Sequence, residues 1–188
     1  MKNYRDLVFL TLSLLSFSVV KANDPTLVTL PEGQIRGHTL LSPNENVYYA
    51  FQEIPFAAPP VGELRFMEPI APNKWDGVLN TTQNTKICYQ AEAFDTSGTT
   101  QTEDCLYLNV YTPVKPGDSS EIPLPVLVWI YGGAFRGGSG VFQSYKPQYF
   151  IDHNIVIVTI NYRLGPLGFL TTQDGVIPGN IGLKDQHF

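Results

Sequence analysis

The chain has 188 residues, of which 43% are hydrophobic and 15% charged, so it can form one folded domain with a sizeable core. Its formal net charge of −5, without a cluster of Lys and Arg residues, argues against a nucleic-acid-binding protein. We therefore expect one globular domain without a nucleic-acid partner.

The first 22 residues have the three regions of a secretory signal peptide. Lys2 and Arg5 give a basic start, and residues 7–20 form an apolar run shorter than the roughly 20 residues of a membrane-spanning helix. Val20-Lys21-Ala22 then places small residues before a cleavage point. A buried helix or a membrane anchor is the alternative. We expect a secreted, extracellular protein whose mature part, residues 23–188, has no membrane span.

Strand patterns begin directly after the signal peptide. Residues 26–30 and 34–40 flank a Pro31-Glu32-Gly33 turn, which predicts a β-hairpin, and residues 47–52 predict another short strand. Residues 106–111 alternate in polarity and are rich in β-forming side chains, which also predicts a strand. We expect the first part of the chain to be antiparallel β-structure.

The later part of the chain has the pattern of α/β-structure. Residues 125–131 and 155–160 are apolar on both faces, which predicts buried central strands of a sheet covered by helices. Residues 145–153 leave room for one helix between them, as in a crossover between parallel strands. A last helix should begin at Ile181 with Asn180 as its N-cap. The chain ends soon after this start, which suggests a fragment of a longer protein.

If the protein is secreted, its two cysteines predict a disulfide and its one Asn-x-Thr sequence predicts a glycan. In an oxidising compartment Cys88 and Cys105 predict a disulfide worth about 3 kcal/mol in the chain-entropy model, with two free thiols as the alternative. Asn80-Thr81-Thr82 is an acceptor for N-glycosylation, and we expect a glycan on Asn80. No CxxC or His-rich spacing predicts a metal site.

The segment VWIYGGAFRGGSG, residues 128–140, passes from a predicted strand into glycines. Such a turn leaves backbone N–H groups free to bind an anion. The GxxxxGK[ST] lysine of phosphate loops is missing, so the alternative anion is the oxyanion of acyl transfer, although Gly-Gly after a strand is more often only a turn. Ser139 does not fit the GxSxG pattern of a nucleophile, because its second glycine comes one position early. We interpret Ser139 as part of the loop.

Five ordered motifs resemble the type-B carboxylesterase family. They are FQEIPFA (51–57), PPVGELRF (59–66), EDCLYLNV (103–110), NYRLG (161–165) and PGNIGLKDQ (178–186). The resemblance covers nearly all of the mature chain and implies an α/β-hydrolase fold, of which this is the amino-terminal part. Antiparallel strands should then lead into a central, mostly parallel sheet.

The resemblance also implies catalytic roles. The backbone N–H groups of Gly133 and Ala134 match the family's oxyanion hole, and Gly132 matches a position that shapes the loop. The family's nucleophilic serine, acid and histidine would lie beyond residue 188, so we expect the chain alone to be inactive. None of the histidines of this chain matches a catalytic position, and we interpret them as structural or surface residues: His38, His153 and His187.

Further matches concern the scaffold. Cys88 and Cys105 match a disulfide of the family. The resemblance implies two structural ion pairs, which join Arg65 to Glu103 and Arg163 to Asp185. Glu103 and Asp104 are adjacent, and successive strand residues point to opposite faces, so they are a poor acid–base pair.

The function that the resemblance implies is hydrolysis of a small-molecule carboxylic ester by a serine esterase, without a metal or a cofactor. The segment between the cysteines contains no tryptophan, which argues against a cholinesterase and favours a secreted esterase of the insect type. Two alternatives remain open. One is a non-catalytic adhesion or signalling relative on the same fold, and the other is a short secreted binding protein.

Overall fold

The computed structural model describes residues 24–91, 98–118 and 123–188, so the predicted signal peptide lies outside the described residues. The strands are β1 (Leu27–Thr29), β2 (Gln34–Arg36), β3 (His38–Leu41), β4 (Val47–Pro55), β5 (Val78–Asn80), β6 (Lys86–Cys88), β7 (Thr100–Thr102), β8 (Tyr107–Thr112), β9 (Val126–Trp129) and β10 (Val156–Ile160). The α-helices are α1 (Phe142–Tyr145), α2 (Gln148–Ile151), α3 (Gly165–Phe169) and α4 (Ile181–His187). A 3-10 turn covers Gly62–Leu64.

The predicted hairpin is confirmed, but its second strand is divided between two sheets. β1 and β2 pair antiparallel, and β5 joins β2 in parallel to complete a three-stranded sheet in the order β1-β2-β5. β3 belongs to the central sheet instead. The division falls at Gly37, where a Cβ atom would lie 2.3 Å from the carbonyl oxygen of Ala50 on β4.

The central sheet has five strands in the order β3-β4-β8-β10-β9. Its neighbours pair antiparallel except for β9 and β10, which are parallel. The expected mostly parallel sheet is therefore not what the described residues form. A parallel pair needs a long crossover, and within this sheet the described chain makes that crossover between β9 and β10, through α1 and α2.

β4 packs both faces of the central sheet, because its side chains alternate between two clusters. Tyr48 and Ala50 contribute to the cluster that also receives α2, whereas Phe51 and Ile54 pack under the three-stranded sheet. A register shift between Phe51 and Ile54 interrupts the pairing of β4 with β8. Glu53 lies in this bulge with a φ of 54°.

Three predictions for the later elements need correction. β9 lies at the sheet edge, and Val126 and Val128 are 60% and 55% exposed, so this strand is not buried among the described residues. The predicted helix over residues 145–153 is two short helices, because Pro147 lacks an N–H group and Lys146 is left-handed. α4 begins as predicted, but Asn180 makes no side-chain cap and is left-handed.

Candidate functional site

The candidate site lies where the chain leaves β9. Tyr131 and Tyr162, which follow β9 and β10, stack with ring centroids 4.3 Å apart. The hydroxyl of Tyr131 donates to the carbonyl of Tyr162 at 2.9 Å, and the hydroxyl of Tyr162 donates to the carbonyl of Tyr131 at 2.9 Å. Burial raises the pKa of Tyr131 well above its ordinary value, so this hydroxyl remains a donor. The two rings fix the start of the loop against the neighbouring strand.

The loop that follows has a left-handed backbone. The φ angles are 127° at Gly133, 52° at Ala134 and 59° at Phe135. Two consecutive non-glycine residues in this region cost about 1–3 kcal/mol each, and such a conformation persists only when its surroundings impose it. The N–H group of Arg136 closes the turn by donating to the carbonyl of Gly133 at 2.9 Å.

The N–H groups of Gly132, Gly133 and Ala134 are the chemically available groups of this loop. Among the described residues, no acceptor takes a hydrogen bond from any of them. All three residues are exposed. Successive unpaired backbone N–H groups in a turn form a concave donor surface that suits an anion. The loop can therefore stabilise a negatively charged oxygen.

Gly133 and Gly132 differ in the space that the structure leaves for a side chain. A Cβ atom on Gly133 would lie 1.8 Å from the carbonyl oxygen of Gly137, so a side chain cannot fit without moving the turn. A Cβ atom on Gly132 would meet no atom within 4 Å, and its φ lies outside the left-handed range. The shaping role that the resemblance implies for Gly132 thus has no steric support in the described residues.

The outgoing half of the loop is held by a glutamine from the segment between the cysteines. Gly138 N–H donates to Oε1 of Gln90 at 2.9 Å, and Nε2 of Gln90 donates to the carbonyl of Gly138 at 3.0 Å. A side chain on Gly138 would collide with the ring of Tyr131, since a Cβ atom would lie 2.4 Å from Cδ2. Sequence reasoning missed Gln90, because no local pattern marks it.

Gly140 is held by buried polar side chains from the strands and the segment that follows β10. Its N–H group donates to Oδ1 of Asn161 at 2.8 Å. Its carbonyl accepts from Nδ2 of Asn109 at 3.0 Å and from Oγ1 of Thr159 at 2.6 Å. Asn109 and Thr159 are polar residues within apolar strands, and that irregularity was the available sequence signal for this network.

Ser139 and the histidines take no part in the hydrogen bonds described for the loop. Ser139 is buried, with 8% of its surface exposed. His38 lies half-buried in β3, where burial lowers its pKa. His153 lies in the turn after α2, and His187 ends α4, both exposed. The structure therefore gathers no nucleophile and base around the loop from these residues.

The predicted disulfide between Cys88 and Cys105 is confirmed, with the two Cα atoms 5.0 Å apart. An ion pair lies beside it, in which Nζ of Lys86 contacts the carboxylate of Asp104 and the hydroxyl of Tyr107, each at 2.7 Å. Burial lowers the pKa of Lys86, but the hydrogen bonds to Asp104 and Tyr107 outweigh it, and the net pKa is raised. The disulfide and these polar contacts together join the two ends of the segment between Cys88 and Cys105.

The two ion pairs that the resemblance implies differ in burial. Arg163 and Asp185 have side chains that are 4% and 0% exposed, and they are joined by two side-chain hydrogen bonds of 2.9 and 2.6 Å. Arg65 and Glu103 are 42% and 24% exposed, with a shortest distance of 2.5 Å. Hydrogen bonding to Arg65 lowers the pKa of Glu103. The first pair anchors α4, whereas the second is a surface pair.

Glu103 and Asp104 do not form an acid–base pair, although the reason differs from the predicted one. Both residues follow β7 in irregular chain rather than lying within a strand. Each carboxylate has its own cation, Arg65 for Glu103 and Lys86 for Asp104. Within residues 24–91, 98–118 and 123–188, no group of three or more His, Cys, Asp or Glu side chains is placed to hold a metal ion.

A mixed sheet with a parallel crossover makes the described part of the chain an α/β structure, and an exposed loop follows the edge strand of this sheet. The sequence model of the carboxylesterase family matches residues 24–188, and the chain belongs to this family. The described part of the chain has no helix of the length and apolarity that a membrane span requires.

The curated relatives of this chain include insect esterases. It is 43% identical to venom carboxylesterase-6 of Apis mellifera over 182 residues, which cover 95% of this chain and 32% of that protein. It is 44% identical to juvenile hormone esterase of Tribolium castaneum over 161 residues, 85% of this chain and 27% of that protein. Esterase FE4 of Myzus persicae is 44% identical over 172 residues, 90% of this chain and 30% of that protein. The chain thus spans about a third of the length of these relatives.

Proposed function

We propose that the full-length protein containing this sequence hydrolyses carboxylic esters and that the N–H groups of Gly133 and Ala134 bind the oxyanion. The observation that carries this proposal is the exposed loop in which these N–H groups have no acceptor among the described residues. Gly133 keeps the turn free of a Cβ atom that would lie 1.8 Å from a carbonyl oxygen. Such a preformed donor surface is what ester hydrolysis requires when negative charge develops on the carbonyl oxygen.

The reaction has two steps. A serine hydroxyl, activated by a histidine that takes its proton, attacks the acyl carbon, and the alcohol leaves with that proton. Water then attacks the acyl-enzyme and releases the acid. In both steps the tetrahedral oxyanion is held by backbone N–H groups, each worth about 2.7–4 kcal/mol of transition-state stabilisation. By family resemblance the serine, acid and histidine belong to the part of the protein that this chain does not include.

We further propose that this chain is the amino-terminal part of an α/β-hydrolase domain, with the remainder of the protein extending the sheet in parallel beyond β9. The exposed apolar side chains of β9 support this, because Val126 and Val128 are 60% and 55% exposed although they lie in a strand of the central sheet. The parallel pairing of β9 with β10 gives the direction in which a next strand would continue.

The proposed substrate is a small-molecule carboxylic ester, and the proposed location is extracellular. The names of two relatives, a venom carboxylesterase and a juvenile hormone esterase, support the substrate class. The predicted signal peptide supports secretion. An extracellular protein would carry a glycan on Asn80. This residue is exposed at the end of β5, and its Oδ1 accepts a hydrogen bond from Oγ1 of Thr82 at 2.8 Å.

The experiment that tests this proposal uses the longest natural open reading frame that contains this sequence, secreted from insect cells. We expect hydrolysis of p-nitrophenyl acetate and covalent labelling by a fluorophosphonate, with the labelled serine located outside residues 1–188 by mass spectrometry. Hydrolysis that persists after complete labelling, or labelling of Ser139, would contradict the proposal. A protein that is secreted and folded but neither hydrolyses esters nor reacts with the probe would be a non-catalytic relative.

A further inference from the structure

We propose that Gln90 is a positioning residue for the oxyanion loop, and this inference rests on the function proposed above. Gln90 lies outside the loop, and the role inferred for it is to hold the loop in place. Its side chain joins the segment between the cysteines to the backbone of Gly138 by two hydrogen bonds, 2.9 and 3.0 Å long. These bonds connect residues 48 positions apart in the chain.

The loop needs an external support between its two ends. Its start is fixed by Tyr131, and its end is fixed at Gly140 by the buried amides. Residues 132–136 lie between these points and are exposed, and their backbone includes left-handed Ala134. A strained and exposed segment keeps its shape only when contacts from outside impose it. The N–H group of Gly165 supplies one such contact by donating to the carbonyl of Phe135 at 2.8 Å, and Gln90 supplies another on the outgoing side.

The contact that Gln90 makes resembles one step of strand pairing. Its amide carbonyl accepts from the N–H group of Gly138, and its amide nitrogen donates to the carbonyl of the same residue. The second N–H of this nitrogen is directed to the carbonyl of Cys88 at 3.0 Å. A primary amide has two donors and one acceptor oxygen, so all these functions are used at once.

Gln90 can support the loop because its own backbone is fixed. It lies two residues after Cys88, which the disulfide joins to Cys105. Its N–H group donates to Oε1 of Gln101 at 3.1 Å, which ties it to β7 on the other side of the segment. The side chain therefore extends from a cross-linked base to the loop, and the disulfide segment contributes to the geometry of the site.

Two variants remove this support without adding bulk. Gln90→Glu keeps the shape of the side chain but loses both donors, so a carboxylate would face the carbonyls of Gly138 and Cys88. Gln90→Met keeps the length but loses every side-chain hydrogen bond, while the backbone N–H bond to Gln101 remains. Gln173→Glu is a control for the added charge, because Gln173 is exposed in a turn distant in sequence from the loop.

The test measures kinetics and hydrogen exchange in the full-length secreted protein. We expect both Gln90 variants to lower kcat about 10- to 100-fold while KM for p-nitrophenyl acetate changes less than about threefold, because displaced donors reduce transition-state stabilisation more than substrate binding. Fluorophosphonate titration gives the concentration of competent sites, so misfolded protein does not enter kcat. Gln173→Glu should match the wild type.

Hydrogen exchange of the loop separates a positioning role from a general loss of stability. We expect the amides of Arg136, Gly137 and Gly138 to exchange at least about tenfold faster in both Gln90 variants, with unchanged exchange in β8 and β10. Unchanged exchange at these three amides, or unchanged kcat in an active enzyme, overturns the inference. If the wild-type protein hydrolyses no ester, the function proposed above fails, and the exchange measurement alone still decides whether Gln90 supports the loop.

Discussion

Gly133→Ala is the substitution for which the structure gives the sharpest expectation. The added Cβ atom would lie 1.8 Å from the carbonyl oxygen of Gly137, and the φ of 127° is one that an alanine rarely adopts. The turn must therefore open, which moves the N–H groups of Gly133 and Ala134 although neither is removed. Loss of one oxyanion donor costs about 2.7–4 kcal/mol, or about 10²- to 10³-fold in kcat, and both donors are displaced here.

The assay is steady-state hydrolysis of p-nitrophenyl acetate by the full-length protein, with kcat referred to sites titrated by a fluorophosphonate. Gly132→Ala is the matched comparison, because a Cβ atom there meets no atom within 4 Å. We expect its loss of kcat to be at least about tenfold smaller than that of Gly133→Ala. Gly133→Ala with a wild-type circular dichroism spectrum and a kcat within about threefold of the wild type would refute the assignment of this loop as the oxyanion site.

Three further predictions concern a serine, a buried ion pair and an acid-sensitive contact. Ser139→Ala should keep kcat within about threefold of the wild type, because Ser139 is buried and does not fit a nucleophile motif. Asp185→Asn should lower stability by about 3–5 kcal/mol, measured as a lower Tm, because it leaves the guanidinium of Arg163 buried without its carboxylate. A hydrogen bond from Ser42 lowers the pKa of Asp152 below 3.8, so this carboxylate stabilises the fold above about pH 3.8 and loses that contribution as pH falls through the folded-state pKa. Asp152→Asn should therefore lower Tm at pH 7 and weaken its dependence on pH below about 4.

Exposed pairs provide the control for the buried one. Lys184 and Glu68 are 3.4 Å apart with side chains 51% and 61% exposed, so Glu68→Gln should change stability by less than about 1 kcal/mol. Equal effects of Glu68→Gln and Asp185→Asn would show that burial does not determine the contribution of the Arg163–Asp185 pair to stability. If Asp152→Asn leaves the acid unfolding curve unchanged, the lowered pKa of Asp152 does not contribute to the stability of the fold. Inactivity of Ser139→Ala in a folded protein would contradict the expectation that this side chain is dispensable for activity.

Local sequence patterns predicted the elements but not all of their neighbours. The β1–β2 hairpin and the start of α4 were marked by residues close in sequence, namely the Pro31-Glu32-Gly33 turn and the apolar residues after Asn180. The same patterns did not show that β9 lies at the edge of the sheet that the described residues form, because an apolar strand at a sheet edge has the composition of a central one. Burial depends on the strands on either side, which the composition of one strand does not contain.

The site was predictable in part for a similar reason. Glycines after a strand and the family motifs directed attention to Gly133 and Ala134, which the structure places in an exposed loop without acceptors among the described residues. The residues that hold this loop were not found. Gln90 contacts Gly138 across 48 positions, and Asn109 contacts Gly140 across 31. Such contacts follow from the tertiary fold and leave no spacing pattern in the chain.

The reciprocal bonds between Tyr131 and Tyr162 have a consequence for strand register. β9 and β10 are parallel neighbours, and the hydrogen-bonding pattern of a strand repeats every two residues, so a slip of two residues would restore the ladder hydrogen bonds between them. Such a slip, about 6.6 Å, would separate both tyrosine hydroxyls from their carbonyls and unstack the rings. The two tyrosines therefore set the register between β9 and β10. They fix the position along β9 and β10 at which the glycine loop begins, and therefore also the position of its N–H groups relative to the sheet.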